Sequence, residues 1–396
     1  MAETHKQSSK FRDDILRHAP SFEKVVKEQR DLLLANLVMI GEIPAPTFQE
    51  ADRLEFVKNR FTEANLQNCS TDEVGNTVGL LPGTKGERTL LMVAHADTVF
   101  SEKVDHTISV GPNKITGPGV ADNSLGLAVL STIPAFLENM DIELDSNLLL
   151  MGTTRSLGQG NLEGLRFFLS NSTIPIHTGV SIEGAQLGRL SYSSVGMLRG
   201  VITCIVPEEE DFLRMTDTNA IITINEVINK IIDIRLPKRP RTYIIMGAIN
   251  AGHSYNTAAT KATLQFEIRS ERAEIVRQIR DQLEEIVAEV SSQSGMFVKL
   301  DIVATRRPGG IRFKHPLSRV TREIMKTMDI EPEIRPSISE LSAFISNDIP
   351  AITVGISKAE HIHEPNESVL IDPMYKGIAQ LISILMAIDK GYCDEN

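Results

Sequence analysis

Apolar residues recur at helical spacing from Phe22 to Ile40 (Val25, Val26, Leu32, Leu33, Leu37, Ile40), which predicts an opening helix. The roughly 20 residues before it are polar and are expected to be loosely held. Pro44 and Pro46 mark a loop, and a second helix is expected over Gln49–Ala64. Short apolar runs then begin to alternate with helical stretches. Thr77–Leu81 and Thr89–Ala94 read as strands separated by a Pro82-Gly83 turn. A helix over Asn123–Met140, a run at Asn147–Gly152, a helix over Leu162–Ser170 and a run at Gly179–Ile182 follow. Apolar runs without alternation, separated by helices, predict an α/β fold whose mainly parallel sheet is buried on both faces.

The pattern changes after Gly196. Strands are expected at Met197–Val206, Thr242–Ile249, Ala262–Ile268 and Phe297–Val303, with helices at Asn219–Ile234 and Glu271–Val290. That order is βαββαβ, a unit able to stand as its own small domain. The breaker cluster Arg306–Gly310 reads as a return linker. A helix (Pro316–Thr327), a strand (Ile349–Gly355) and a closing helix (Met374–Asp389) then complete the first domain. The expected division is a discontinuous α/β domain of residues 1–196 and 311–396, interrupted by a domain of residues 197–310.

Composition narrows the function classes. The net charge of -11 argues against a nucleic-acid partner. No segment reads as a transmembrane helix, and the polar start lacks the apolar stretch of a signal peptide, so a cytoplasmic location is expected. Cys69, Cys204 and Cys393 are far apart and form no CxxC pair, which indicates neither a disulfide framework nor a thiolate metal site.

Ligands in open α/β sheets bind beyond the carboxyl ends of the strands. Thr89–Ala94 is followed by His95-Ala96-Asp97, and Gly179–Ile182 by Glu183. Asp122 precedes a helix, and His361-Ile362-His363 follows the run Ile349–Gly355. Taken singly, Asp122 is readable as a helix cap, Glu183 as a loop acid and each histidine as a hydrogen-bonded structural group. Their joint placement favours a metal site or its remnant, and nitrogen and oxygen donors without thiolates suit zinc, manganese or cobalt. Gly158, Gly160 and Gly164 also follow a strand, but their GxGxxxG spacing departs from a dinucleotide fingerprint.

From about Leu32 onward the chain resembles the co-catalytic zinc peptidases and deacylases, which include peptidase T, carboxypeptidase G, aminoacylase and acetylornithine deacetylase. The resemblance rests on AHADTVF at His95, GPGVADNSLGLAVL at Asp122, GNLEGLRFF at Gly160, IEG at Glu183, AGHSYNTAATKATLQFEIRS, IPAITVG and HEPNESV at His363. It implies that His95, Asp122 and Glu183 hold one metal, that Asp122 bridges to a second metal shared with His363, and that Asp97 orients a ligand. It further implies a homodimer formed through the inserted lid domain, and Asn256 reaching substrate across that dimer. The substrate expected is a small peptide or an N-acyl amino acid.

The chain departs from the family where it matters most. Aligned on Gly160-Asn161-Leu162, Ser156 and Leu157 take the places of two adjacent glutamates, the proton shuttle and a ligand of the second metal. Thr153–Gln159 contains no acid. The lid stretch Val206–Ile221 lacks the family's oxyanion histidine, for which His253 is the one nearby substitute. Ser339-Glu340 stands where many relatives have Thr-Asp. Losing a general base costs about 10²–10⁴ in rate. Two readings follow: a metal-dependent amide hydrolase working with one zinc and an altered mechanism, or a non-catalytic descendant that binds a peptide or amino-acid derivative.

Overall fold

The computed structural model describes residues 2–207 and 219–395. The acidic run Glu208–Asp211 lies outside these residues, as does most of the stretch Val206–Ile221. The chain forms two compact units, residues 1–193 with 310–396, and residues 194–309.

The first unit is built on an eight-stranded sheet in the order Gln67–Thr71, Thr77–Leu81, Asn147–Thr153, Thr89–His95, Thr178–Ala185, Ala351–Ser357, Arg189–Ser191, Glu333–Ile334. The four central strands run parallel. They are almost wholly buried, as their unbroken apolar runs require. Helices Leu125–Asn139 and Ile371–Asp389 supply core residues such as Leu130, Phe136, Ile378 and Leu385. By length and composition alone Val120–Asn139 and Ile371–Asp389 pass for membrane spans, but most of each is buried inside the unit, as in the core helices of a folded domain.

The start of the chain also differs from expectation. Helix Ala2–Glu28 replaces the loose polar segment, and Arg30–Gly41 continues it after a break. Ile15, Ala19, Phe22 and Val26 recur at four, three and four residues, one stripe of a helix. Ile15, Ala19 and Val26 are buried in the main core. The surrounding charges hide a stripe this narrow. The edge strand Gln67–Thr71, largely exposed and poor in β-branched residues, escapes a reading based on apolar runs for the same reason.

The second unit is a four-stranded antiparallel sheet in the order Thr242–Ala251, Lys261–Ser270, Gly196–Ile205, Phe297–Arg306. Helices Ala220–Ile232 and Ala273–Ser294 bury Ile224, Val227, Leu283 and Val290 in its own core. The chain order is βαββαβ.

Candidate metal centre

Three parallel neighbours present their carboxyl ends together. His95 closes its strand beside Thr153, and Glu183 lies beside Gly355. The irregular turn Val120–Ser124 carries Asp122. Asn123, 1% exposed, fastens that turn to the Glu183 strand. Its amide donates to Ile182 O at 2.8 Å, and its Oδ1 accepts from Gly184 N at 2.8 Å. Gly184 is required by this approach, because a Cβ there would sit 2.5 Å from Ala121 O.

The result is a cluster in which donor atoms of His95, Asp122 and Glu183 all lie within 4.8 Å of one another. His95 Nε2 is 2.9 Å from Asp122 Oδ1, and His363 Nε2 is 2.7 Å from Asp122 Oδ2. Asp122 thus offers one oxygen to each imidazole. Glu183 is 8% exposed, and its Oε1 lies 3.5 Å from Arg189 Nη1. A cleft of about 330 Å³ opens onto the cluster, lined among others by Asp122, Glu183, Gln186, Arg189, Arg335 and His363.

Asp97 does not face this cleft as a ligand. Its Oδ1 accepts from Ser156 N at 3.2 Å, and its Oδ2 from Leu157 N at 2.7 Å and Thr47 Oγ1 at 2.8 Å. His95 Nδ1 lies 3.0 Å from the Asp97 carbonyl and 3.5 Å from its Oδ1, which fixes the ring and leaves Nε2 for the cluster. The Ser156 hydroxyl lies 3.2 Å from Thr153 Oγ1. Leu157 has no donor atom in its side chain. His253 and Asn256 belong to the second unit, in the exposed turn between Thr242–Ala251 and Lys261–Ser270, where Ser254 Oγ donates to Asn256 Oδ1 at 2.9 Å.

Glu367 lies in the HEPNESV stretch, four residues after His363. It is fully buried and joins both histidine-bearing contacts to one carboxylate. Its Oε1 accepts from Ala121 N at 2.6 Å and Asp122 N at 2.9 Å, and its Oε2 from His363 N at 2.9 Å. The last bond holds His363 at a φ of 71°, a left-handed conformation unusual for a residue with a side chain. The signal was its place four residues after His363 in that motif.

The electrostatics fit a cation. Burial alone would lower the His95 pKa, but hydrogen bonds to Asp122 and Asp97 overcome it and raise it well above 6.5. His363 is raised chiefly by its hydrogen bond to Asp122. Burial would raise the Asp122 carboxyl, yet the two imidazoles bring it far below the ordinary carboxylate range. Burial raises Glu183, against the pull of Arg189 and His95. Each Asp122–imidazole contact thus favours the protonated ring in the metal-free protein, and a cation held by His95 would compete with that proton.

The fold and the donor set describe an α/β protein with a candidate metal site at the carboxyl ends of its parallel strands. Residues 76–155 match peptidase family M28, and residues 217–294 match a peptidase dimerisation domain. A [LysW]-lysine/[LysW]-ornithine hydrolase of Saccharolobus islandicus is 24% identical over 378 residues, covering 90% of this chain and 95% of the relative. An M20 family metallo-carboxypeptidase from Sulfolobus solfataricus shares the fold at a TM-score of 0.73 and 14% identity, over 90% of this chain and 99% of that one. A dinuclear metal-binding peptidase of the M20 family from Bacillus subtilis matches at 0.61 and 13% identity, over 91% and 98%. These matches support the resemblance to the co-catalytic zinc peptidases and deacylases, and the fold is that of M20 peptidases.

Proposed function

We propose that the protein hydrolyses an amide bond of a small peptide or N-acyl amino acid, using one zinc ion held by His95, Asp122 and Glu183. The observation that carries this is the convergence of these three donor groups within 4.8 Å. Three protein ligands with an open position is the usual composition of a catalytic zinc site. Manganese and cobalt accept the same donors. The second half of the centre is incomplete: Asp122 and His363 alone remain, because Leu157 offers no oxygen. A divalent ion in the first site supplies Lewis acidity to the scissile carbonyl and acidifies the attacking water.

The chain's own residues do the rest. Asp97 holds the His95 tautomer. Glu367 and Asn123 fix the backbone that carries Asp122. Arg189 and Arg335 line the cleft and suit a substrate carboxylate. That preference agrees with relatives that process lysine and ornithine derivatives. The protein is proposed to act in the cytoplasm as a homodimer through its second unit, with Asn256 and His253 reaching the partner's substrate. The match of residues 217–294 to a dimerisation domain supports this.

A second reading, a binding protein without turnover, is favoured by one observation. The Ser156 and Leu157 amides are both tied to Asp97, at positions where relatives place their two glutamates. Metal analysis and turnover of a panel of dipeptides and N-acetyl amino acids separate the two. Turnover dependent on zinc and abolished in His95→Ala supports the enzyme. Saturable binding of the panel with no hydrolysis under any of the three metals supports the binding protein.

A further inference from the structure

The charged side chains lining the cleft are in balance. Two carboxylates, Asp122 and Glu183, face two guanidiniums, Arg189 and Arg335, beside the imidazole of His363. A divalent ion at His95, Asp122 and Glu183 would add two positive charges, so the loaded cleft calls for an anionic ligand. The two guanidiniums are not equivalent. Arg335 is 63% exposed and its Nη2 lies 2.8 Å from Glu333 Oε2, a solvated pair. Arg189 is 26% exposed and faces the buried Glu183.

The backbone of Arg189 is fixed and its guanidinium is not. The turn after the Glu183 strand is closed by Arg189 N, which donates to Gln186 O at 2.9 Å, and by Leu187 N, which donates to Ser357 O at 2.8 Å. Gly188 holds the corner at a φ of 99°, where a Cβ would sit 2.6 Å from Glu331 O. Arg189 then opens the short strand Arg189–Ser191, which pairs with Ala351–Ser357. Among the described residues its guanidinium makes two contacts, both long. Nη1 lies 3.5 Å from Glu183 Oε1, and Nη2 lies 3.4 Å from Ser337 Oγ. Close charge-assisted hydrogen bonds are shorter, about 2.7–2.9 Å. A planar fork of N–H donors is thus left with capacity for a better acceptor.

The contact with Glu183 gives that capacity a direction. Among the described residues the ion pair of Glu183 is with Arg189. A buried charge without a partner is strongly unfavourable, so Arg189 is the counter-ion of Glu183 in the metal-free protein. A divalent ion takes over that duty and repels the guanidinium beside it. The guanidinium then remains one contact away from a metal ligand, next to the carbonyl that the ion polarises.

We propose that Arg189 is the specificity residue of this site, paired with Glu183 in the metal-free protein and transferred to a substrate carboxylate when zinc occupies Glu183. This rests on the zinc site proposed above. The substrate class that follows carries a free carboxylate beside the scissile amide, as the last residue of a peptide or an N-acyl amino acid does. Metal binding and carboxylate binding reinforce each other, because each is favoured by the same release of Arg189 from Glu183.

The test uses the whole protein, chelator-treated or zinc-loaded, with propionate as probe and propionamide as its uncharged control. Calorimetry is expected to show propionate binding more tightly to the zinc-loaded protein, and zinc affinity rising by the same factor in saturating propionate, about 5–150-fold. Propionamide is expected to produce neither change. Arg189→Met is expected to melt earlier than wild type without zinc but not with it, to bind zinc at least as tightly, and to lose the coupling. Arg189→Lys is expected to keep part of the coupling, since it keeps the charge without the fork. In turnover, wild type is expected to favour N-acetyl amino acids over their carboxamides, and Arg189→Met to lose about 10–100-fold of that preference, the span of a hydrogen bond to a charged group. Coupling retained in Arg189→Met overturns the proposal, because propionate would then be ligating the zinc. Weakened zinc binding in Arg189→Met also overturns it, because Arg189 would then merely hold Glu183 in place. Both results leave the zinc site intact. A wild type that binds no zinc overturns the proposal and the zinc site together. Coupling that depends on Arg189 without any turnover upholds the proposal and overturns the hydrolase reading alone.

Discussion

The two sides of Asp122 are unequal. On one side its Oδ1 meets His95 beside a buried glutamate, and three donors converge on one point. On the other its Oδ2 meets His363, 57% exposed, and the position that should complete the set is Leu157. Both sides share one carboxylate, and both are held by Glu367. On the proposed reading, the difference teaches that one carboxylate's backbone anchors serve both sides, so they would persist on a side that lacks a donor.

The strongest way to break the comparison is to remove a donor from the complete side. His95→Ala is expected to abolish zinc binding and turnover together, as measured by metal analysis and a peptide hydrolysis assay. His363→Ala, on the incomplete side, is expected to leave the zinc in place. Equal loss in both variants would erase the asymmetry.

Restoring the lost donors sharpens it in the other direction. Ser156→Glu with Leu157→Glu returns the family's pair of acids beside Asp97. The expected outcome is a second zinc per chain and a gain of about 10²–10⁴ in kcat, the span a general base supplies. No second zinc by calorimetry would show that the Asp97-bound backbone no longer aims these positions at the metals.

A smaller effect is expected at the shared anchor. Glu367→Gln keeps the shape but weakens acceptance from three amides. Zinc affinity is expected to fall about 10–100-fold, as for other residues that orient ligands. Unchanged affinity in a zinc competition assay would remove Glu367 from the account.

The gentlest lever is pH. In the metal-free protein contacts with Asp122 raise the pKa values of His95 and His363 above 6.5, so zinc held by His95 must displace the proton on that ring. Zinc affinity is therefore expected to rise with pH, by about tenfold per unit for each proton released. The same contacts stabilise the metal-free fold. The imidazole contribution is full below 6.5 and is lost as pH rises through the raised histidine values. The Asp122 contribution is full above 3.8 and is lost as pH falls through its lowered value. Melting temperatures of chelator-treated protein should thus be highest between these limits, and a profile rising steadily to alkaline pH would contradict the assignment.

The large sheet and the inserted unit were legible because buried parallel strands leave unbroken apolar runs such as Thr89–Ala94 and Ile349–Gly355. His95, Asp122, Glu183 and His363 were legible as candidates because they follow such runs or open the next helix. The helical stripe of Ile15, Ala19 and Val26 was hidden among charges, and a short edge strand such as Gln67–Thr71 carries almost no apolar signal. Glu367 was illegible as part of the site for another reason. Its role depends on which backbone groups the folded chain places beside it, and a carboxylate in a connecting loop looks alike whether satisfied or not.

The most direct test of the single-site account is the zinc content of purified, dialysed wild-type protein, measured by mass spectrometry against protein concentration. The account predicts about one zinc per chain, lost in His95→Ala and retained in His363→Ala. Two zinc ions per chain, or none after reconstitution, would contradict it.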